Sequence, residues 1–349
     1  MDSASPWWRP DGFADRLPVL RRRNRLKAAL RGLFEADGFL EVETPILQVS
    51  PGNETHIGAF ATAITAPDGR VAPFYLHTSP EFCCKKLLAA GVPMLFTFAR
   101  VFRDRERGRL HHPEFTMLEW YRAEAALDDL VADCAAILRT TAAIMACDTL
   151  RFGAARADPL APPERLTVVE AFRRHAGVDL DAMLPDSGGG LARLAEAARA
   201  LDLRVADDDT WSDLFSKIIS ARVEPRLGLG RATVLTRYPA SEAALARLCP
   251  DDPRFAERFE LYACGVELAN AFGELRDASE QRFRFEAAEA ERQRIYGTRY
   301  PIDADFLDAL ALMPDACGIA LGFDRLVMLA TGAPRIEDVL FAPVAEPSA

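Results

Sequence analysis

Two apolar, aromatic-rich runs, MLFTFARVFRD (94–104) and HHPEFTMLEWY (111–121), flank one short charged segment, DRERGRLHH. Bulky and aromatic residues of this kind favour strands. Strands joined so closely run antiparallel, because a parallel crossover needs a dozen or more residues. The chain therefore contains a hairpin with an arginine-rich tip, and that hairpin seeds an antiparallel sheet. Strand character returns in FELYACGVELANAFGEL (259–275) and in CGIALG (317–322), which leads into a helix, FDRLVMLATG. Helical patterns cover 20–38 (ended by Gly38), 127–146 and 279–296. Another is capped by Ser79 or Thr78, carries Pro80 and Glu81 in its first turn, and stops at Gly91. FLEVETP (39–45) reads as a strand that Pro45 closes. This order predicts an α+β fold, an antiparallel sheet flanked by helices. A βαβ rhythm is missing, as are GxGxxG and GxxxxGKS/T, so any nucleotide is held by other means. Residues 150–250, with DPLAPPERL, PDSGGG and DDDTW, read as a helical insertion within a single catalytic domain spanning 1–349.

Composition narrows the function classes. Half of the 349 residues are hydrophobic and 27% are charged, which is ordinary for a globular protein. No apolar run reaches the roughly 20 residues of a membrane helix. The best, VADCAAILRTTAAIMAC, is broken by Asp133 and Arg139 and reads as a buried amphipathic helix. The first residues, MDSASPWWRPDG, lack the basic-then-apolar order of a secretion signal. Seven cysteines without CxxC spacing predict reduced thiols and a cytoplasmic protein, with Cys83 and Cys84 as small helix residues. A net charge of −10 disfavours a life on nucleic acid, which calls for a basic stripe. The one dense basic cluster, RRRNRLK (21–27), is either a solvated helix face or a landing patch for an acidic partner.

Charges inside the strands carry the chemistry. Period-2 geometry puts Phe115, Met117, Glu119 and Tyr121 on one face, and Glu114 with Thr116 on the other. A carboxylate in such surroundings needs a cation or strong donors, or its pKa rises. The nearest bases, Arg109 and Arg122, lie at the ends of the run. Each glutamate is either an edge residue paired with an arginine or, for Glu119, a group awaiting a ligand ammonium. Arg103 and Arg325 suit phosphate oxygens in fork geometry, or structural salt bridges. Glu267 and Glu274 suit Mg²⁺, or cross-strand pairing. Asn270 and Glu274 share a strand face that Glu267 does not, so joint metal binding requires a bulge or bend, for which Gly273 is a place.

Five stretches, GFLEVETPIL, TSPEF, FRDRERGRLHHPEFTMLEWY, ELANAFGEL and GIALGFDRL, resemble the class II aminoacyl-tRNA synthetases, specifically the lysyl group. The resemblance runs from about residue 18 to 342 and is weakest in 150–250. It implies the class II catalytic fold, with GFLEVETPIL as the dimer-building motif 1 and hence a homodimer. It also implies ATP as co-substrate with Mg²⁺, and lysine or β-lysine as the amino acid. An anticodon-binding domain is not seen before motif 1, so tRNA is not the expected acceptor. HHPEFTMLEWYR and GIALG are similar to the truncated paralogue branch, whose acceptor is elongation factor P. Ala320 stands where lysyl-tRNA synthetases have glycine, and a methyl in a pocket wall shifts discrimination by roughly 1–3 kcal/mol.

The same resemblance implies roles. Arg103 holds the α-phosphate and the carboxylate, Arg325 the terminal phosphate, and Gly322 leaves room for the nucleotide. Asp104, Arg105, Glu106, His112 and Leu268 accompany them at ATP, and Glu267 with Glu274 holds Mg²⁺. Ser79, Pro80 and Glu81 meet the backbone-side amine of the substrate, Asn270 its carboxylate, and Glu119, Tyr121 and Glu274 its distal ammonium. Glu114 stays structural. Two positions depart from the pattern: Arg105 replaces a glutamate that approaches adenine, with Glu106 beside it, and His112 replaces an asparagine. His175 lacks any such context and reads as surface helix. Two other functions compete, a minimal enzyme charging tRNA and a non-catalytic paralogue that binds lysine or nucleotide. Retention of Arg103, Arg325, Glu267 and Glu274 argues against the second.

Overall fold

A computed structural model of the chain describes residues 7–345, except 186 and 244. The hairpin is the centre of an eight-stranded sheet. Its strands are β1 (Leu40–Glu41), β2 (Met94–Phe102), β3 (Glu114–Ala123), β4 (Glu164–Thr167), β5 (Thr233–Pro239), β6 (Phe255–Ala263), β7 (Val266–Gly273) and β8 (Ala316–Gly322). Their spatial order is β1-β2-β3-β8-β7-β6-β5-β4. All inner pairs are antiparallel, and only the outermost pairs, β1 with β2 and β4 with β5, are parallel.

Helices α1 (Pro10–Ala36), α2 (Glu81–Ala89), α3 (Leu127–Met145), α4 (Val168–Ala176), α5 (Gly190–Ala200), α6 (Trp211–Ile218), α7 (Ala278–Tyr296), α8 (Ala304–Leu310) and α9 (Phe323–Thr331) surround the sheet. Strand alternation sorts them. Phe96, Leu118, Trp120, Ala271 and Ile319 point to one face and pack with α1, α3 and α9 in the main core. Each such fully buried large side chain stabilises the fold by about 1.5–3 kcal/mol. Leu95, Tyr121 and Phe272 point to the other face, where α2 and α8 cover one end. The rest of that face is left open, and the site forms there.

Several sequence expectations need correction. The first helix begins at Pro10, not near residue 20, because Pro18 is exposed and its missing N–H falls on the solvent side. FLEVETP contributes only Leu40–Glu41 as strand, an edge paired with β2. Residues 150–250 are not simply helical: they supply β4 and β5 to the main sheet, and α4–α6 pack with these strands around a core of their own. The bulge in β7 is at Leu268, not Gly273. Leu261 pairs with Ala269 and Tyr262 with Glu267, which leaves Leu268 without a partner.

Candidate active site

Strand register builds the floor. Thr97, Glu119, Ala320, Asn270 and Glu260 are successive cross-strand partners on β2, β3, β8, β7 and β6, so they form one row on the open face. The adjacent row reads Leu95, Tyr121, Gly318, Phe272 and Arg258. Strands lie about 4.8 Å apart, so Asn270 stands about 10 Å from Glu119. A cavity of about 330 Å³ opens over the Ala320, Asn270 and Glu260 part of the row and over the hairpin tip.

One end of the site is dry and short of cations. Glu119 is fully buried. The Ser79 hydroxyl donates to its Oε1, and the Tyr121 hydroxyl donates to Oε2 at 3.0 Å. It makes no ion pair among the described residues. Burial, then repulsion from Glu81, pushes its pKa up to about 8. The Ser79 hydroxyl also accepts the Glu81 N–H at 3.1 Å, at the start of α2, whose cap position is Pro80. Lys85, one helical turn on, lies 2.6 Å from both Glu81 Oε1 and Glu274 Oε2. Burial opposes its charge, but Glu274 and Glu81 outweigh that and raise its pKa. Burial raises the pKa of Glu274, with Lys85 opposing. Its Oε1 meets no donor among the described residues. Gly318 lets these groups converge, since a Cβ there would collide with the Tyr121 ring and the Glu274 carboxylate. An ammonium entering here finds acceptors on both Glu119 and Glu274.

The other end is wetter and rich in arginine. Arg103 donates to Thr78 O at 3.3 Å and lies 5.4 Å above the Phe115 ring, with Glu106 at 3.9 Å. Arg325 donates to Leu110 O at 3.2 Å and to Glu267 O at 3.0 Å, and its Nη2 meets His111 Nε2 at 2.9 Å. Arg103, Glu106, Glu267, Leu268, Gly322 and Arg325 line the cavity. The Leu268 bulge returns Glu267 to the face of Asn270. Between the ends, Arg258 donates to Asn270 Oδ1 at 3.2 Å and to Glu260 Oε1 at 2.6 Å. With its oxygen taken, the Asn270 amide is left with donors, the polarity a carboxylate needs.

Other residues assigned to the site are placed differently. Asp104 and Arg105 do not line the cavity. The tip places Arg105 in the left-handed region (φ 63°), and its side chain turns out towards Asp104 at 3.8 Å. Of the acidic residues at the tip, Glu106 is the one that lines the cavity. His112 lines the cavity, but its Nδ1 bonds to Glu114 O at 2.6 Å and its Nε2 accepts the Val344 N–H at 3.2 Å. Neither nitrogen is left for a nucleotide, and His111 is the imidazole that joins Arg325. Glu274 does not join Glu267 as a metal ligand, because it is buried against Lys85. No group of three or more His, Cys, Asp or Glu is arranged to hold a metal among the described residues. Of the two, Glu267 is the open one, with Arg325 at 3.4 Å from its carboxylate. Glu260, nearby, is saturated by Arg258, by the Tyr238 hydroxyl at 2.6 Å and by the Tyr262 hydroxyl at 2.5 Å. Glu114 is structural, paired with Arg100 across the hairpin at 2.7 Å, not with Arg109 or Arg122. Of RRRNRLK, Arg21, Asn24 and Arg25 are exposed on α1, while Arg23 turns inward and is buried against Asp324 at 2.6 Å. Lys85, His111 and Arg258 escaped the sequence reading. Only Lys85 left a signal, a lysine four residues after Glu81 in an apolar helix.

An activated-acid chemistry needs these parts: a sink for an ammonium, a donor for a carboxylate, and arginines for phosphate. Residues 15–346 match the family described as tRNA synthetases class II (D, K and N). The chain belongs to this family. It is an ATP-dependent amino acid ligase of the α+β fold that such enzymes share. Curated relatives include the elongation factor P–(R)-β-lysine ligases of Salmonella dublin and Salmonella paratyphi B. Each is 39% identical over 342 residues, covering 97% of this chain and 98% of the relative. The class II expectation drawn from GFLEVETPIL, the 102–121 stretch and GIALGFDRL is thus borne out. No helix among the described residues is long and apolar enough to cross a membrane.

Proposed function

We propose that this ligase activates (R)-β-lysine or lysine as an aminoacyl-adenylate and transfers it to a lysine side chain of elongation factor P. The observation that carries the reading is Glu119, a fully buried carboxylate with hydroxyl donors but no ion pair among the described residues. A desolvated ammonium facing it gives both affinity and selection against neutral side chains. The relatives' names add the acceptor and the β-amino acid.

In this reading the amino acid lies across β3, β8 and β7. Its distal ammonium meets Glu119, Glu274 and Tyr121, its other amine meets Glu81 and the Ser79–Pro80 turn, and its carboxylate meets Asn270. Arg103 aligns that carboxylate with the α-phosphate, and Arg325 neutralises the terminal phosphate. This is alignment and charge neutralisation more than acid–base chemistry. Mg²⁺, when bound, supplies positive charge to the phosphates. The donor set fits a metal held by Glu267 and shared with ATP and water, not one caged by protein. The protein acts as a single catalytic domain in the cytoplasm, and tRNA is not its acceptor. A homodimer through the GFLEVETPIL region is supported by the exposure of Leu40, Ile46, Leu47 and Val49 there.

Intact mass of elongation factor P after incubation with ATP, Mg²⁺ and α- or β-lysine tests the reading. A gain of one aminoacyl unit is expected. No gain with either amino acid, alongside tRNA acylation or no pyrophosphate release, sinks it.

A further inference from the structure

We propose that Glu54 is the base that receives the proton of the acceptor lysine, at the inner end of an acidic cleft that admits the acceptor. This rests on the ligase reading above. A second cavity, of about 750 Å³, lies between the 50–57 loop, the start of α2, residues 240–248 and α7. It shares Glu54, Ile57, Ser79, Glu81 and Arg258 with the smaller cavity. A side chain entering through the large cleft therefore meets an adenylate held over the sheet at this junction.

Most acidic groups lining the cleft are engaged. Glu81 pairs with Lys85, Asp213 accepts from Thr210, Glu242 from Ser212, Glu280 from Arg284, and Glu291 from Arg294. Glu54 differs: its side chain makes no hydrogen bond or ion pair among the described residues. Its backbone, by contrast, is clamped. Arg292 donates to Glu54 O and Ile57 O, Asn53 donates to Glu289 at 2.9 Å, and Thr55 donates to Ala288 O at 3.2 Å. A fixed backbone with an uncommitted carboxylate is what a preorganised base requires. The groups that face it are Arg103 and Arg258, which favour its charge, and Glu81 and Glu267, which oppose it. From the loop and α7, His56, Glu291 and Arg292 flank the same stretch. Glu54 is open to the cleft, and desolvation by the groups around it raises its pKa above the ordinary carboxylate value.

The chemistry demands such a group. An acceptor ammonium has a pKa near 10.4, so little free amine exists at neutral pH. Glu54 takes one proton from the ammonium. The freed lone pair attacks the acyl carbon, the C–N bond forms, and the C–O bond to phosphate breaks with its electron pair leaving on AMP. The second amine proton departs to AMP phosphate or water as the amide forms. The cleft's acidic lining also favours an acceptor segment of positive charge.

Single-turnover transfer to elongation factor P, read by intact mass, is compared with amino-acid-dependent pyrophosphate exchange for the unsubstituted protein, Glu54→Gln and Glu54→Asp. We expect Glu54→Gln to keep exchange, and its KM for the amino acid, within about threefold, while transfer slows about 10²–10³-fold. Its transfer should rise about tenfold per pH unit above 7, as free amine accumulates. Glu54→Asp should recover part of the rate. Transfer by Glu54→Gln at the unsubstituted rate overturns the proposal. So does parallel loss of exchange, or a raised KM, which would put Glu54 or the cleft in amino acid binding. If the unsubstituted protein exchanges pyrophosphate but modifies no elongation factor P, the acceptor reading fails and this proposal falls with it.

Discussion

The two ends of the site recognise charge in opposite ways. At the amine end, Glu81 and Glu274 share Lys85, Glu119 has no ion pair among the described residues, and all three lie in or against the core. At the phosphate end, Arg103 and Arg325 each already have protein acceptors and stand beside an open cavity. The first end is incomplete without a ligand; the second is merely ready for one. A missing charge in a dry place selects strongly, because the unpaired group cannot fall back on water. An arginine braced by carbonyls near water contributes chiefly alignment and transition-state stabilisation.

The largest effect is expected where the developing charge is neutralised. Arg103→Ala should lower pyrophosphate exchange about 10³-fold, a loss of about 4 kcal/mol in transition-state stabilisation. Amino acid binding, read by calorimetry, should weaken much less than exchange, because Asn270 and the amine end still hold the substrate. Glu119→Gln should cost about 10²-fold and act oppositely, removing amino acid binding while ATP binding persists. If Arg103→Ala and Glu119→Gln weaken both ligands equally, the two ends are not separate.

The pH dependence of Glu119 sharpens the contrast. Its pKa rises from 4.5 to about 8 in the folded chain. A raised carboxyl pKa means the folded state binds the proton more tightly. Its stabilising contribution is present below about 4.5 and is lost as pH rises through about 8. A ligand ammonium needs the ionised form, so its binding should strengthen up to tenfold per pH unit towards pH 8. Melting temperature with and without lysine, across pH 5–9, checks both signs against Glu119→Gln. A ligand-induced gain that does not depend on pH excludes this account.

Next in size is the contact that brings the amine end together. Gly318→Ala pushes a methyl into the Tyr121 ring and the Glu274 carboxylate. Overpacking of this kind costs about 1–3 kcal/mol, and exchange should fall about tenfold. Unchanged exchange and denaturant midpoint would show that Tyr121 and Glu274 have room to yield.

What was legible in the sequence follows from the same contrast. Glu119 could be found because a carboxylate on the apolar face of β3 is anomalous in its own strand, whatever packs around it. Arg103 and Arg325 flank strand ends and were equally visible. Groups that matter through tertiary proximity were not: Arg258 reaches Asn270 only through the β6–β7 register, and Glu54 reaches the site only because α7 clamps its loop. The Leu268 bulge left no trace, as Leu268 itself is an ordinary strand residue. In the fold, β4 has only four residues, ERLT, and pairs in parallel with a strand some 70 residues later, so neither length nor a turn announced it. Pro18 misled the start of α1 because proline is costly only where the lost hydrogen bond is buried.

The smallest effect should come from Ala320, midway between the two ends. Its cross-strand partners are Glu119 on β3 and Asn270 on β7, so its methyl stands on the floor between ammonium and carboxylate. No charge changes on substitution with glycine, and only the depth of that floor does. A deeper floor readmits an amine on the carbon next to the carboxylate, so Ala320→Gly should move preference from β-lysine towards α-lysine. A methyl is worth roughly 1–3 kcal/mol in such discrimination, and with water free to refill the space the lower limit applies, about five- to tenfold. The ratio of kcat/KM values for the two amino acids in pyrophosphate exchange measures it. If that ratio stays within twofold while both rates fall, Ala320 supports the strand and does not choose the substrate. Selection between the two lysines would then lie with Ser79 and Glu81, where α2 begins.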